Sequence, residues 1–204
     1  MSAAEVLVTP TVSLSTLAKA AGPISPTALT RLLRGHKYQA PGPRRSYQNA
    51  RRQAISLLVD KARLDPDAPL RAHERDVLRA MARTQLPLPP WIRATRPTSS
   101  SLLELHGVRV SMQPDVELHG TIESGAAKFS FTKDPLPRGV GSLMAALLWY
   151  GKAVIEGDPK VKPSHCLVYE PRLPWVHRPS KRPLVQLKNL ELACTVISAL
   201  WASA

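Results

Sequence analysis

The sequence predicts an α+β or α/β protein: a basic helical N-terminal unit, then a small mixed sheet of about four strands packed by helices in the order β-β-β-α-β-α. Three observations carry this. Apolar residues recur at helical spacing up to about residue 84, and the period then changes to two between residues 102 and 131. Between the two regimes lies a stretch rich in proline and serine, residues 85–101, whose composition is that of a linker. The expected division is therefore a helical unit at residues 1–84, a linker at 85–101 and an α/β unit at 102–204. A chain of 204 residues is long enough to bury a core of its own.

The first helix is expected over residues 13–21, with Leu14, Leu17, Ala18 and Ala21 on one face, and Gly22-Pro23 stops it. Ser25 then caps a second helix with Pro26 at its first position and Ala28, Leu29, Leu32 and Leu33 on its apolar face, ending at Gly35. Residues 38–46, with Pro41-Gly42-Pro43 and the pair Arg44-Arg45, read as an exposed loop. A third helix begins near Tyr47, with Ile55, Leu58, Val59 and Ala62 facing inward. A fourth, over residues 70–84, presents Arg71, Arg75, Arg79 and Arg83 outward. Leu103, Leu105, Val108 and Val110, then Val116 and Leu118, then Phe129 and Phe131 form three short strands, expected as a meander. His106-Gly107, Gln113-Pro114 and residues 123–125 supply the turns. Residues 141–155 are a nearly all-apolar helix that belongs against a sheet, residues 165–169 a fourth strand, and residues 189–202 a closing helix.

Lysine and arginine number 28 against 15 acids, a formal charge of +13. No acidic residue lies between Glu5 and Asp60, whereas Lys19, Arg31, Arg34, Lys37, Arg44, Arg45, Arg51 and Arg52 all do. A single-sign field of this kind points to a polyanionic partner. A second basic patch covers residues 178–188, with Arg178, Lys181 and Arg182. Membrane partners are not expected, because the longest apolar run, residues 143–150, is far below a bilayer span. Two cysteines without CxxC spacing fit reduced thiols and a cytoplasmic location. His165, Cys166 and Cys194 lack a fourth ligand for zinc, and no phosphate-binding glycine loop or GxSxG elbow is present. Tyr38 and Tyr47 flank the Arg44-Arg45 loop and Trp175 sits beside His177-Arg178, an interleaving used for stacking bases. Phe129, Phe131, Trp149 and Trp201 fall in apolar patterns and read as core.

Residues 17–35 resemble the helix-turn-helix of bacterial repressors, with one residue more, Pro23, in the turn. The resemblance implies that Thr27 and Thr30 reach base edges and that Arg31 and Arg34 reach phosphates. Residues 103–150 resemble the PD-(D/E)XK nuclease superfamily, in particular RecB-type nucleases. The likeness rests on the strand order, Pro114-Asp115 at the opening of the second strand, a glycine turn, a third strand and a buried helix. Active members bind Mg²⁺ through an Asp at that point and an acid-x-Lys in the next strand. Here Asp115 is present, but the third strand offers Ser130-Phe131-Thr132 or, in a shifted alignment, Ala126-Ala127-Lys128.

The expected function is therefore nucleic-acid binding, DNA or RNA, as a non-catalytic scaffold or recruiter in a mobile-element or phage-defence complex, with no cofactor. The expected contacts are Thr27, Thr30, Arg31, Arg34, Lys37, Arg44, Arg45, Arg51, Arg52, Arg178, Lys181 and Arg182. One alternative is a Mg²⁺-dependent nuclease with Asp115 as metal ligand, helped by Glu117 or Glu123 and by Lys128 or Lys133. Another is a basic subunit docking a protein or ribonucleoprotein partner.

Overall fold

The computed structural model describes residues 9–38, 47–63, 65, 69–83, 88–98, 101–132, 134–202 and 204. Among the described residues six helices and two mixed sheets form an α+β fold. The three-stranded sheet has the order β1-β4-β3, from β1 (Thr11–Ser13), β3 (Ser101–Leu105) and β4 (Val108–Met112). The five-stranded sheet has the order β2-β5-β6-β7-β8, from β2 (Arg93–Thr95), β5 (Val116–His119), β6 (Ser124–Phe129), β7 (Val161–Glu170) and β8 (Trp175–His177).

Local chemistry sets most of these elements. Ser13 caps α1 (Leu14–Ala20) by accepting a hydrogen bond from the Thr16 N–H, and Ser25 caps α2 (Pro26–Lys37) by accepting from that of Ala28. Gly35 does not end α2, which runs on to Lys37. The His106-Gly107 turn joins β3 to β4 with φ of 43° and 74°, both left-handed, as a two-residue hairpin requires. α3 (Gln48–Ile55) and α5 (Val140–Tyr150) each continue into a wider π-helical turn, Ser56–Asp60 and Gly151–Ile155. α4 spans Ala72–Arg83, and α6 spans Pro183–Trp201, starting six residues earlier than expected because Pro183 is accommodated in the first turn.

The expected three-strand meander is instead divided between the sheets. β3 and β4 form a hairpin in the small sheet, while β5 and β6 pair antiparallel in the large one. β6 and β7 are parallel, and α5 supplies the crossover between them. Two strands had no signal in the sequence: β1 and β2 are three residues each, too short to show a period of two. β8, also three residues long, lies just before the basic patch at residues 178–188.

Segments on either side of residues 85–101 pack together. β1 pairs in parallel with β4, with Val12 opposite Val110. Val12, Leu14, Leu17, Leu29 and Leu33 join α5, α6, the β3–β4 hairpin and the Cys166/Val168 face of β7 in one apolar cluster. α3 and α4 pack on the other face of the large sheet, where Ala50, Ala54, Val77, Leu78 and Met81 meet Val116, Leu118, Ala127, Phe129, Leu167 and Tyr169. Alternate residues of β7 thus point into two cores, which is why residues 165–170 are buried without interruption. Gly125 permits the closest approach in this layer: a Cβ there would lie 2.2 Å from the His165 carbonyl oxygen, beside the bulge in β7. No helix among the described residues is long and apolar enough to cross a membrane.

Candidate nucleic-acid interface

α2 packs on α1 and α6. It buries Leu29 and Leu33 and leaves Thr27, Ala28, Arg31 and Arg34 exposed. The Thr30 hydroxyl donates to the Pro26 carbonyl at 3.1 Å, so it is turned back on its own helix. α1 is not a free-standing partner of α2, since it is buried against α5, α6 and the small sheet. Lys37 has an internal role: its Nζ donates to the carbonyls of Trp201 at 2.8 Å and Ala204 at 3.4 Å and lies over the Tyr38 and Trp201 rings.

Arg51 and Arg52, neighbours on α3, have different fates. Arg52 is exposed, whereas Arg51 Nε lies 2.7 Å from Asp115 Oδ1, an ion pair without hydrogen-bond alignment. In the second basic patch, Arg178 Nε donates to the Ser164 carbonyl, while Lys181 and Arg182 are exposed at the start of α6. Arg44, Arg45 and Lys133 lie outside the described residues. Tyr47 stacks on Phe131 at 6.3 Å between centroids and meets His73 edge-on at 5.7 Å, so it is a packing ring. Trp175 and Tyr38 are exposed.

Asp115 sits buried between β4 and β5. Its Oδ2 accepts from the Phe129 N–H at 2.6 Å, its own N–H donates to Ala127, and Arg51 covers Oδ1. The register that pairs Val116 with Ala127 brings Lys128 beside it, and Lys128 Nζ donates to the Gln113 carbonyl at 2.6 Å. Burial pushes the Lys128 ammonium below the ordinary lysine range; the Asp115 charge opposes this and Arg51 adds to it. Glu117 does not join Asp115. It is buried on β5 and binds Lys152 at 2.8 Å, with His119 at 3.5 Å. Burial lowers the Lys152 pKa, but the hydrogen bonds and charges of Glu117 and Glu156 outweigh it and hold the pKa above the usual value. Glu123, in the β5–β6 turn, binds His165 at 2.7 Å.

These residues do not fit a magnesium ion. A hard cation bound by protein takes oxygen ligands, and here one carboxylate faces a guanidinium at 2.7 Å with a lysine beside it. Among the described residues no group of three His, Cys, Asp or Glu side chains converges on a metal-sized point.

Protein-family models, curated proteins and solved structures contain no match to the chain.

Two cations absent from the expected contacts stand next to Arg31. Lys19, at the end of α1, and Arg138, just before α5, share the rim of one cavity with it. Lys19 was visible as part of the acid-free stretch. Arg138 carried no signal, because its position depends on how the start of α5 is brought up to the α1–α2 turn.

Proposed function

We propose that the protein binds nucleic acid through the outer face of α2 and acts as a non-catalytic scaffold or recruiter. The observation that carries this reading is a cationic face: exposed Arg31 and Arg34 and half-buried Lys19 lie in a stretch of sequence with no acid from residue 6 to residue 59, and exposed Arg138 lines the same cavity as Lys19 and Arg31. Thr27, exposed in the first turn, is available for base or phosphate contact. Arg52 and the Lys181-Arg182 pair extend the positive surface elsewhere. The order β5, β6, α5, β7, with Asp115 at the mouth of β5, supports kinship with PD-(D/E)XK nucleases. The Asp115–Arg51 pair supports a member that has exchanged metal binding for an internal ion pair.

The test is a fluorescence-anisotropy titration with duplex DNA, single-stranded DNA and RNA at several salt concentrations. Affinity should fall steeply as salt rises. The triple substitution Arg31→Ala, Arg34→Ala, Arg138→Ala should weaken binding at least tenfold and flatten the salt slope by about 0.9 for each duplex phosphate no longer neutralised. Salt-independent binding, or a triple variant that binds like the parent, rejects the reading.

A further inference from the structure

We propose that the cavity between the α1–α2 turn and the start of α5 is a docking site for an acidic peptide segment of a partner protein, with an aliphatic residue as its anchor. The cavity measures about 490 Å³, within the ~300–1,000 Å³ range of sites that hold a ligand or an anchoring side chain. Its walls are aliphatic, Pro23, Ile24, Leu32, Pro137 and Val140 together with Ala28, and Lys19, Arg31 and Arg138 stand around it.

Three features select the occupant. Among the described residues no acidic side chain lines the cavity, and Asp134 lies in another hollow that also borders Lys19. An anionic guest therefore meets three cations among the described residues that line the cavity. α5 adds to that field, for its N-terminus opens at Val140 on the cavity wall with Gly139 as cap, no side-chain cap bond and no acid in the first turn. Finally, among the described residues no aromatic ring lines the walls, which disfavours a nucleobase, since single strands are held by stacking, and favours a leucine- or valine-like anchor. Carboxylates flanking such an anchor would reach the three cations while the side chain fills the hollow.

The peptide site overlaps the nucleic-acid face proposed above, for Lys19, Arg31 and Arg138 serve both, and only the hollow they surround is particular to the peptide. The experiment is selection of random twelve-residue peptides on the full chain, with Ala28→Phe as counter-target. Ala28 is exposed, so the larger side chain fills the hollow without entering the core and leaves every cation in place. Enriched peptides should carry Leu, Ile or Val flanked by Asp or Glu. They should bind at least tenfold more weakly to Ala28→Phe and to the pair Arg31→Glu, Arg138→Glu, and lose binding when their aliphatic residue becomes Ser. If no peptide distinguishes the parent from Ala28→Phe, or if the anchor-to-Ser peptide binds equally, the site is only a charged surface and the proposal falls. If Ala28→Phe blocks an oligonucleotide and no acidic peptide, the cavity belongs to nucleic acid and the proposal falls while the function proposed above stands.

Discussion

At Asp115 one carboxylate joins the β4–β5 connection to two other stretches of chain: α3, through Arg51, and β6, through the Phe129 amide and the charge of Lys128. Removing it leaves the buried Phe129 N–H without its acceptor and a half-exposed guanidinium without its counter-charge. Asp115→Ala should lower stability by about 2 kcal/mol, chiefly through loss of the charge-assisted hydrogen bond, with the Arg51 share reduced by solvent; urea denaturation measures this. Incubated with Mg²⁺ and DNA or RNA, parent and variant should both leave the substrate uncut. Pro114-Asp115 was legible as a motif, yet its partner was not, because nothing local to Arg51 distinguishes it from exposed Arg52. Cys166 gives a pH prediction. Burial raises its thiol pKa from 9.0 to about 12, so between those values the unfolded chain loses a proton that the folded chain keeps. Stability should therefore fall as pH rises from 9 towards 12, by up to about 1.4 kcal/mol per pH unit from this group. Lys152, raised above 10.5, acts in the same direction, and Lys128, lowered, in the opposite one. Comparing the alkaline slope of the parent with that of Cys166→Ala isolates the thiol. At pH 8 a thiol-reactive chromogen should label Cys166 only after unfolding.

Between elements, close approaches rank the glycines. Gly125→Ala would push a methyl to 2.2 Å from the His165 backbone oxygen, and a sheet cannot yield there without separating β6 from β7. About 3 kcal/mol of destabilisation is expected. Gly151→Ala would meet the Met112 methyl at 2.0 Å, and a terminal methionine group can swing aside, so about 1 kcal/mol is expected. Thermal denaturation of both variants checks the order; equal losses would contradict the packing described. The helices and the His106-Gly107 turn were legible because capping serines, the Gly22-Pro23 stop and turn residues act within a few residues, whereas the pairing of β3 with β4 apart from β5 and β6 was not. The π-helical extensions were not, since an apolar period near 3.6 hardly changes over one widened turn.

For the whole molecule, residues 85–101 had the composition of a linker, and composition cannot report that Val12 would pair with Val110. A truncation beginning at residue 88 would strip β1 and α1 from the cluster and uncover the side of β4 that β1 occupies. It should lose its near-ultraviolet circular dichroism and aggregate in place of showing a cooperative unfolding transition. The candidate interface was partly legible: charge polarity placed it in the N-terminal third, while Arg138 and the diversion of Lys37 and Arg51 to internal roles emerge only from tertiary packing. The β1–β4 pairing also orders events during synthesis. Residues 11–13 leave the ribosome first but have no strand to pair with until β4 follows, nearly a hundred residues later. Until then Val12, Leu14 and Leu17 wait uncovered in the nascent chain. Contact order of this kind makes the N-terminal docking a late, slow closing step, and the interval before it is when a chaperone would find this chain.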